Sequence, residues 1–202
     1  MTPHPRAATD AASRADAAAV EPAYTPVARL LHWVTAGLVL LLIPIGLIMA
    51  EVLKAGPLQN FLFTLHESLG VTLMVVVYVR LAYRFTHPPA PLPPEIPAFY
   101  RIAGHSVHYL LYVLLAVQPI VGWIGTSAYR APIHFFWLFE LPPIWPENRA
   151  FSELIFRVHL GIGIALAGLI CLHVGAGLFH HFIRRDVVLT RMLGGNERLR
   201  QG

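Results

Sequence analysis

The chain is short of charge. Only 13% of its 202 residues are Asp, Glu, Lys or Arg, about half the roughly 25% of an ordinary soluble domain, whereas 56% are hydrophobic. A water-soluble globule of this length has too little polar surface to hide so much apolar matter, so that class is excluded. Cysteine is nearly missing too. Cys171 stands alone, which rules out a disulfide framework or a cysteine-ligated cluster and leaves it as a small apolar packing residue. The first charges are followed by no apolar run. Residues 1–26, rich in Ala, Pro and Thr with Arg6, Asp10, Arg14 and Asp16 among them, read as a disordered cytoplasmic tail rather than a signal peptide. The net charge of +4 is no sign of nucleic-acid binding, because the arginines flank apolar spans, as membrane orientation requires.

Four apolar runs fill the rest: 30–50, 61–79, 102–127 and 158–183. The first has 21 residues and no charge; at about 1.5 Å per residue it reaches ~31 Å, enough for a hydrocarbon core of about 30 Å. Pro44 lies inside it and is expected to kink it. Residues 51–60 read as a short turn around Gly56 and Pro57. Residues 84–101, with Pro88, Pro89, Pro91, Pro93, Pro94 and Pro97, read as a stiff extended connector. Residues 128–157 are rich in aromatics and proline (Phe135, Phe136, Trp137, Trp145), which places them along the membrane surface with room for one short helix. Eleven of the fifteen Lys and Arg residues lie in the two tails, the 80–101 connector and their flanks. The remaining four are Lys54, Arg130, Arg149 and Arg157. By the positive-inside rule both termini are cytoplasmic. The fold expected is an all-α membrane protein, a four-transmembrane-helix up-and-down bundle.

Inside these runs sit four histidines: His32, His66, His159 and His173. An imidazole in hydrocarbon is costly without a partner and usually marks function. His159 and His173 are 14 residues apart on one helix; fourteen steps of ~100° return to within about 40° of the same face, roughly 21 Å further along the axis. His159 can therefore meet His66 near the outer surface, and His173 can meet His32 near the inner one. Two facing imidazoles grip one haem iron by both axial positions, and a six-coordinate iron suits electron transfer. The expectation is two stacked b haems. With no C-x-x-C-H in the chain, neither haem is held by thioether bonds.

Other residues leave alternatives open. His180 is the rival of His173 as inner ligand, and His181 points elsewhere. His105 and His108 can anchor at the interface or reach haem carboxylates or a quinone; His4 and His87 read as solvated, and His134 is unassigned. Gln118 is a buried amide in need of a partner, and Glu67 is a solvated carboxylate or part of a proton relay. Gly161, Gly163, Gly168, Gly175 and Gly177 serve either the approach of a flat macrocycle or close helix packing.

The run Tyr24-Thr25-Pro26-Val27-Ala28-Arg29-Leu30-Leu31-His32-Trp33 resembles the first-helix signature of the bacterial cytochrome b561 family. So do His66-Glu67-Ser68-Leu69-Gly70, Val79-Arg80-Leu81, His87-Pro88-Pro89, Gly104-His105 with His108, His159-Leu160, and His173-Val174 through His180-His181, all in order. The resemblance covers about residues 24–193 and implies a di-haem transmembrane domain over 27–190, between the N-terminal tail and a cytoplasmic tail at 191–202. It implies two haem b groups on His32 with His173 and His66 with His159, an inner-membrane location, membrane lipid and quinone as partners, and electron exchange with quinone. One branch of the family oxidises superoxide and reduces ubiquinone. The expected outer side of this chain carries four cations against the carboxylates of Glu51, Glu67, Glu140, Glu147 and Glu153, a net charge of minus one, which does nothing to steer an anion. The competing reading is a haem-bearing anchor for a redox partner protein, of the hydrogenase or formate dehydrogenase kind. A third is a haem-free membrane scaffold.

Overall fold

Each long helix begins where local chemistry starts one. Thr25 Oγ1 accepts a hydrogen bond from Ala28 N at 3.2 Å, with Pro26 in the first turn. Pro57 opens the second helix, and Asn148 Oδ1 caps the fourth by accepting from Phe151 N at 3.0 Å; small polar caps and an initial proline satisfy or remove the otherwise orphaned first N–H groups. The computed structural model describes residues 24–89 and 96–194. Within them run α1 (Pro26–Leu47), α2 (Pro57–Thr86), α3 (Ala98–Tyr129), a hairpin of β1 (Ile133–Phe135) and β2 (Phe139–Leu141), α4 (Arg149–Phe179) and the short α5 (Thr190–Leu193). Two helices end in a π turn, Ile48–Val52 after Pro44 and His180–Arg184 after α4.

Each of the four long helices, with its π turn where it has one, is long and apolar enough to cross a membrane. Their outer faces belong to lipid: Leu40 is 62% exposed, Tyr109 71% and Leu172 57%, surface that hydrocarbon accepts and water does not. Cys171 is exposed on α4, so it faces outward instead of packing inside. Consecutive helices lie against one another, α1 on α2, α2 on α3 and α3 on α4, whereas no comparable packing joins α4 to α1 or α2. At mid-bundle Val39, Leu42, Leu73, Val77, Leu115 and Leu166 form the buried core.

Several expected boundaries move. The spans are longer than the uncharged runs, because Arg80, Arg84, Arg149 and Arg157 lie within helices; a long side chain can carry its charge along the helix to the interface. The 84–101 connector is correspondingly shorter, with α2 continuing to Thr86 and α3 starting at Ala98. Residues 90–95 lie outside the described residues, as do positions 1–23 and 195–202 of the expected tails. The aromatic 128–157 segment holds a β-hairpin and the start of α4 rather than one short helix. Its turn uses Phe136 and Trp137 at φ of 45° and 60°, a left-handed conformation costly for bulky residues. Tertiary contacts hold it there. Ser68, fully buried on α2, accepts from Phe136 N at 2.8 Å and lies 3.0 Å from the His134 carbonyl, while Trp137 stacks on Phe61 at 5.2 Å.

At the opposite end the chain turns back through Asp186. Its Oδ2 is 2.6 Å from His180 Nδ1 and 3.1 Å from Arg184 Nε, and its Oδ1 accepts from Val188 N at 3.2 Å. Burial raises this carboxyl, but the hydrogen bonds from His180, Val188 and Arg184 outweigh it and hold the group below its ordinary value of 3.8. The folded value is thus the lower one. The stabilisation is present above 3.8 and disappears as pH falls through the folded value. Asp186→Asn at neutral pH is expected to loosen residues 185–194, seen as faster amide exchange there, whereas the parent chain shows no such change between about pH 7 and 5. Unchanged exchange in the variant contradicts the assignment.

Candidate haem-binding centres

A 14-residue interval recurs on all four long helices: His32 and Gly46 on α1, His66 and Arg80 on α2, His108 and Gly122 on α3, His159 and His173 on α4. Because 14 residues is nearly four whole turns, each pair shares a helix face. The antiparallel bundle sorts the eight into two layers. One holds Gly46, His66, Gly122 and His159, the other His32, Arg80, His108 and His173. Halfway between lie Val39, Leu73, Leu115 and Leu166, one from each helix and all buried, an apolar partition between two polar ends.

In the first layer the His66 and His159 rings face each other with centres 6.2 Å apart and planes at 78°. Each is backed by a glycine on the neighbouring helix. A Cβ at Gly46 would lie 2.9 Å from His66 Cε1, and one at Gly122 would lie 3.0 Å from His159 Cε1. No larger residue leaves these rings where they are. The Nδ1 atoms of both histidines are buried without a well-formed hydrogen bond, and the backbone of Leu42 approaches His66 as that of Gln118 approaches His159. A ring that turns its Nδ1–H toward a carbonyl leaves Nε2 free as a metal ligand. Gln118 also holds the α4 backbone here, its Nε2 donating to the His159 carbonyl at 2.9 Å.

In the second layer His32 and His173 face each other at 6.1 Å and 65°. His108 lies 5.1 Å from His173, and Arg80 Nη2 is 3.0 Å from His32 Nδ1. The two 6 Å spacings carry a metric test. An imidazole nitrogen lies about 1.1 Å from its ring centre and binds a metal at about 2 Å, so two imidazoles on opposite sides of one ion have centres about 6.2 Å apart. Both pairs meet it, and the closer His108–His173 pair does not. The pairs join α1 to α4 and α2 to α4, helices that do not pack closely on one another. The residues therefore fit two bis-imidazole haems.

The remaining candidates fall elsewhere. His180 is tied to Asp186 and packs edge-on to Tyr100 at 5.7 Å, away from His32. A Cβ at Gly161, Gly168, Gly175 or Gly177 would meet no atom within 4 Å, so close helix packing does not account for them. Sequence reasoning passed over Gly46 and Gly122, and it gave Arg80 no place beside a histidine. The interval that aligns His159 with His173 also marks Gly46, Gly122 and Arg80, but a glycine or an arginine becomes meaningful only once the helices that face it are known.

Residues 23–195 match the prokaryotic cytochrome b561 family. Cytochrome b561 homolog 2 of Escherichia coli is 30% identical over 172 residues, covering 85% of this chain and 91% of that protein. Cytochrome b561 homolog 1 of the same organism is 29% identical, covering 81% and 92%. A probable superoxide oxidase of Yersinia pestis is 26% identical, covering 81% and 91%. With four membrane-crossing helices and the family match over most of its length, the chain is a member of the prokaryotic cytochrome b561 family, the b-type haem proteins of membrane electron transfer.

Proposed function

We propose that this cytochrome carries two b haems, one on His66 and His159 and one on His32 and His173, and passes electrons between a periplasmic donor and membrane quinone. The observation that carries the reading is the pair of imidazole spacings, 6.1 and 6.2 Å, one in each layer. Haem supplies the one-electron chemistry when bound. The chain supplies the ligands, the glycine and carbonyl supports behind His66 and His159, and the apolar partition that keeps water from between the layers. Both termini face the cytoplasm in this reading, because eleven of fifteen cationic residues then lie on that side. The His66–His159 layer is accordingly the outer one.

The relative described as a probable superoxide oxidase makes superoxide one candidate donor. The outer surface offers it little attraction: Arg130 is engaged by Glu147 at 3.7 Å and Arg149 lies over the Tyr129 ring at 4.0 Å. The test is a reduced-minus-oxidised spectrum with haem quantification, followed by stopped-flow mixing with superoxide and with quinol. About two b haems per chain and rapid reduction by one of these donors are expected. One haem or none refutes the di-haem assignment. Reduction only through a stably bound oxidoreductase would make the chain an electron-conducting anchor.

A further inference from the structure

The two layers are built differently. His66 and His159 are backed by glycine and backbone carbonyls, whereas His32 and His173 are backed by Arg80 and His108. Arg80 and Arg84 follow one another by a turn on α2, and both guanidinium groups lie over the Tyr112 ring, at 5.1 and 5.6 Å. Neither forms an ion pair with a carboxylate among the described residues. A partly buried cation in a membrane-spanning helix is costly unless an anion or strong acceptors meet it. Here Arg80 meets the His32 imidazole nitrogen and the Tyr112 side chain, neither of them a carboxylate.

Beside the two arginines opens a cleft of about 30 Å³ that Tyr24, Tyr83, Tyr112 and His87 help to line, with no acidic residue in its wall. Its phenols and guanidinium groups can all donate hydrogen bonds, so the cleft is made for an acceptor. Its wall of donors suits the oxygens of a carboxylate.

We propose that Arg80 and Arg84, stacked on Tyr112, form a carboxylate clamp that holds the propionates of the inner haem. Arginine is suited to this because its planar fork meets a carboxylate with two parallel hydrogen bonds. The proposal rests on the assignment of a haem to His32 and His173. The carboxylate replaces the His32 imidazole as the partner of Arg80 and compensates two partly buried positive charges.

The test uses the full chain, made in haem-starved cells, embedded in lipid nanodiscs and titrated with haem b or with its dimethyl ester, whose propionates carry no charge. A His159→Ala background isolates the inner site. There haem b is expected to bind about 10- to 150-fold more tightly than the ester, the span of a charge-assisted hydrogen bond. Arg84→Gln and Arg80→Lys should weaken haem b and leave the ester unchanged, which a folding defect would not do. Equal affinity for the two forms, in a parent chain that still takes up two haems, overturns the clamp alone. If Arg84→Gln instead sheds a co-purified anionic phospholipid, the arginines serve a lipid phosphate and the clamp is wrong. A parent chain that takes up a single haem overturns the di-haem assignment and the clamp with it.

Discussion

Replacing His159 with Ala is expected to halve the haem content, from about two b haems per chain to about one, because a bis-histidine iron is gripped from both sides and a lone imidazole holds it poorly. His66→Ala should do the same, and the double variant no more than either alone, since both act on one centre. His173→Ala should remove the other haem and, combined with His159→Ala, leave a colourless chain. His180→Ala is the control: tied to Asp186 at 2.6 Å, it should keep both haems. Pyridine haemochrome quantification against protein mass reads every case. A loss on His180→Ala that matches the loss on His173→Ala would exchange the two assignments.

The second large effect comes from residues with no side chain. Gly122→Val and Gly46→Val place a branched carbon where Cβ alone would stand 3.0 Å from His159 Cε1 and 2.9 Å from His66 Cε1. The clash is with a ring that the proposed ligation would hold in place, so with haem bound a rotamer change would not relieve it. Overpacking of this kind costs about 1–3 kcal/mol, which weakens haem at the outer centre by about 5- to 150-fold. The inner centre lies beyond the apolar partition and should be untouched. The expected signature is a chain that keeps the inner haem and releases the outer one on mild heating or dilution. Equal loss from both centres would mean that valine had disturbed the bundle as a whole.

Much of this was legible in the residues. Charge scarcity and four long apolar runs require a membrane bundle whatever the detail, because no soluble packing hides so much hydrocarbon. The stagger of His159 and His173 is a property of helical geometry, so it could be computed before any helix was placed. Less legible were the helix ends. Arg80 and Arg84 read as the edge of a connector because charges usually stop a span, yet α2 carries both inside its last two turns. The hairpin of residues 133–141 gives no alternation of apolar and polar positions. Ser68 and Phe61, more than sixty residues earlier, hold its strained turn, and no local reading reaches that far.

The amino-acid sequence alone determined the number of membrane crossings, the excess of cations on one side and the depth of each histidine, since these depend on hydropathy and on 1.5 Å of rise per residue. Depth and helical phase already set which rings could meet; only the tertiary structure decided how closely they approach, that Gly46 and Gly122 clear the space behind two of them, that His180 is taken by Asp186, and that Arg80 rests on His32. The reason is physical: periodicity says which face a residue occupies on its own helix, whereas the azimuth of one helix about another is set by packing across the whole bundle.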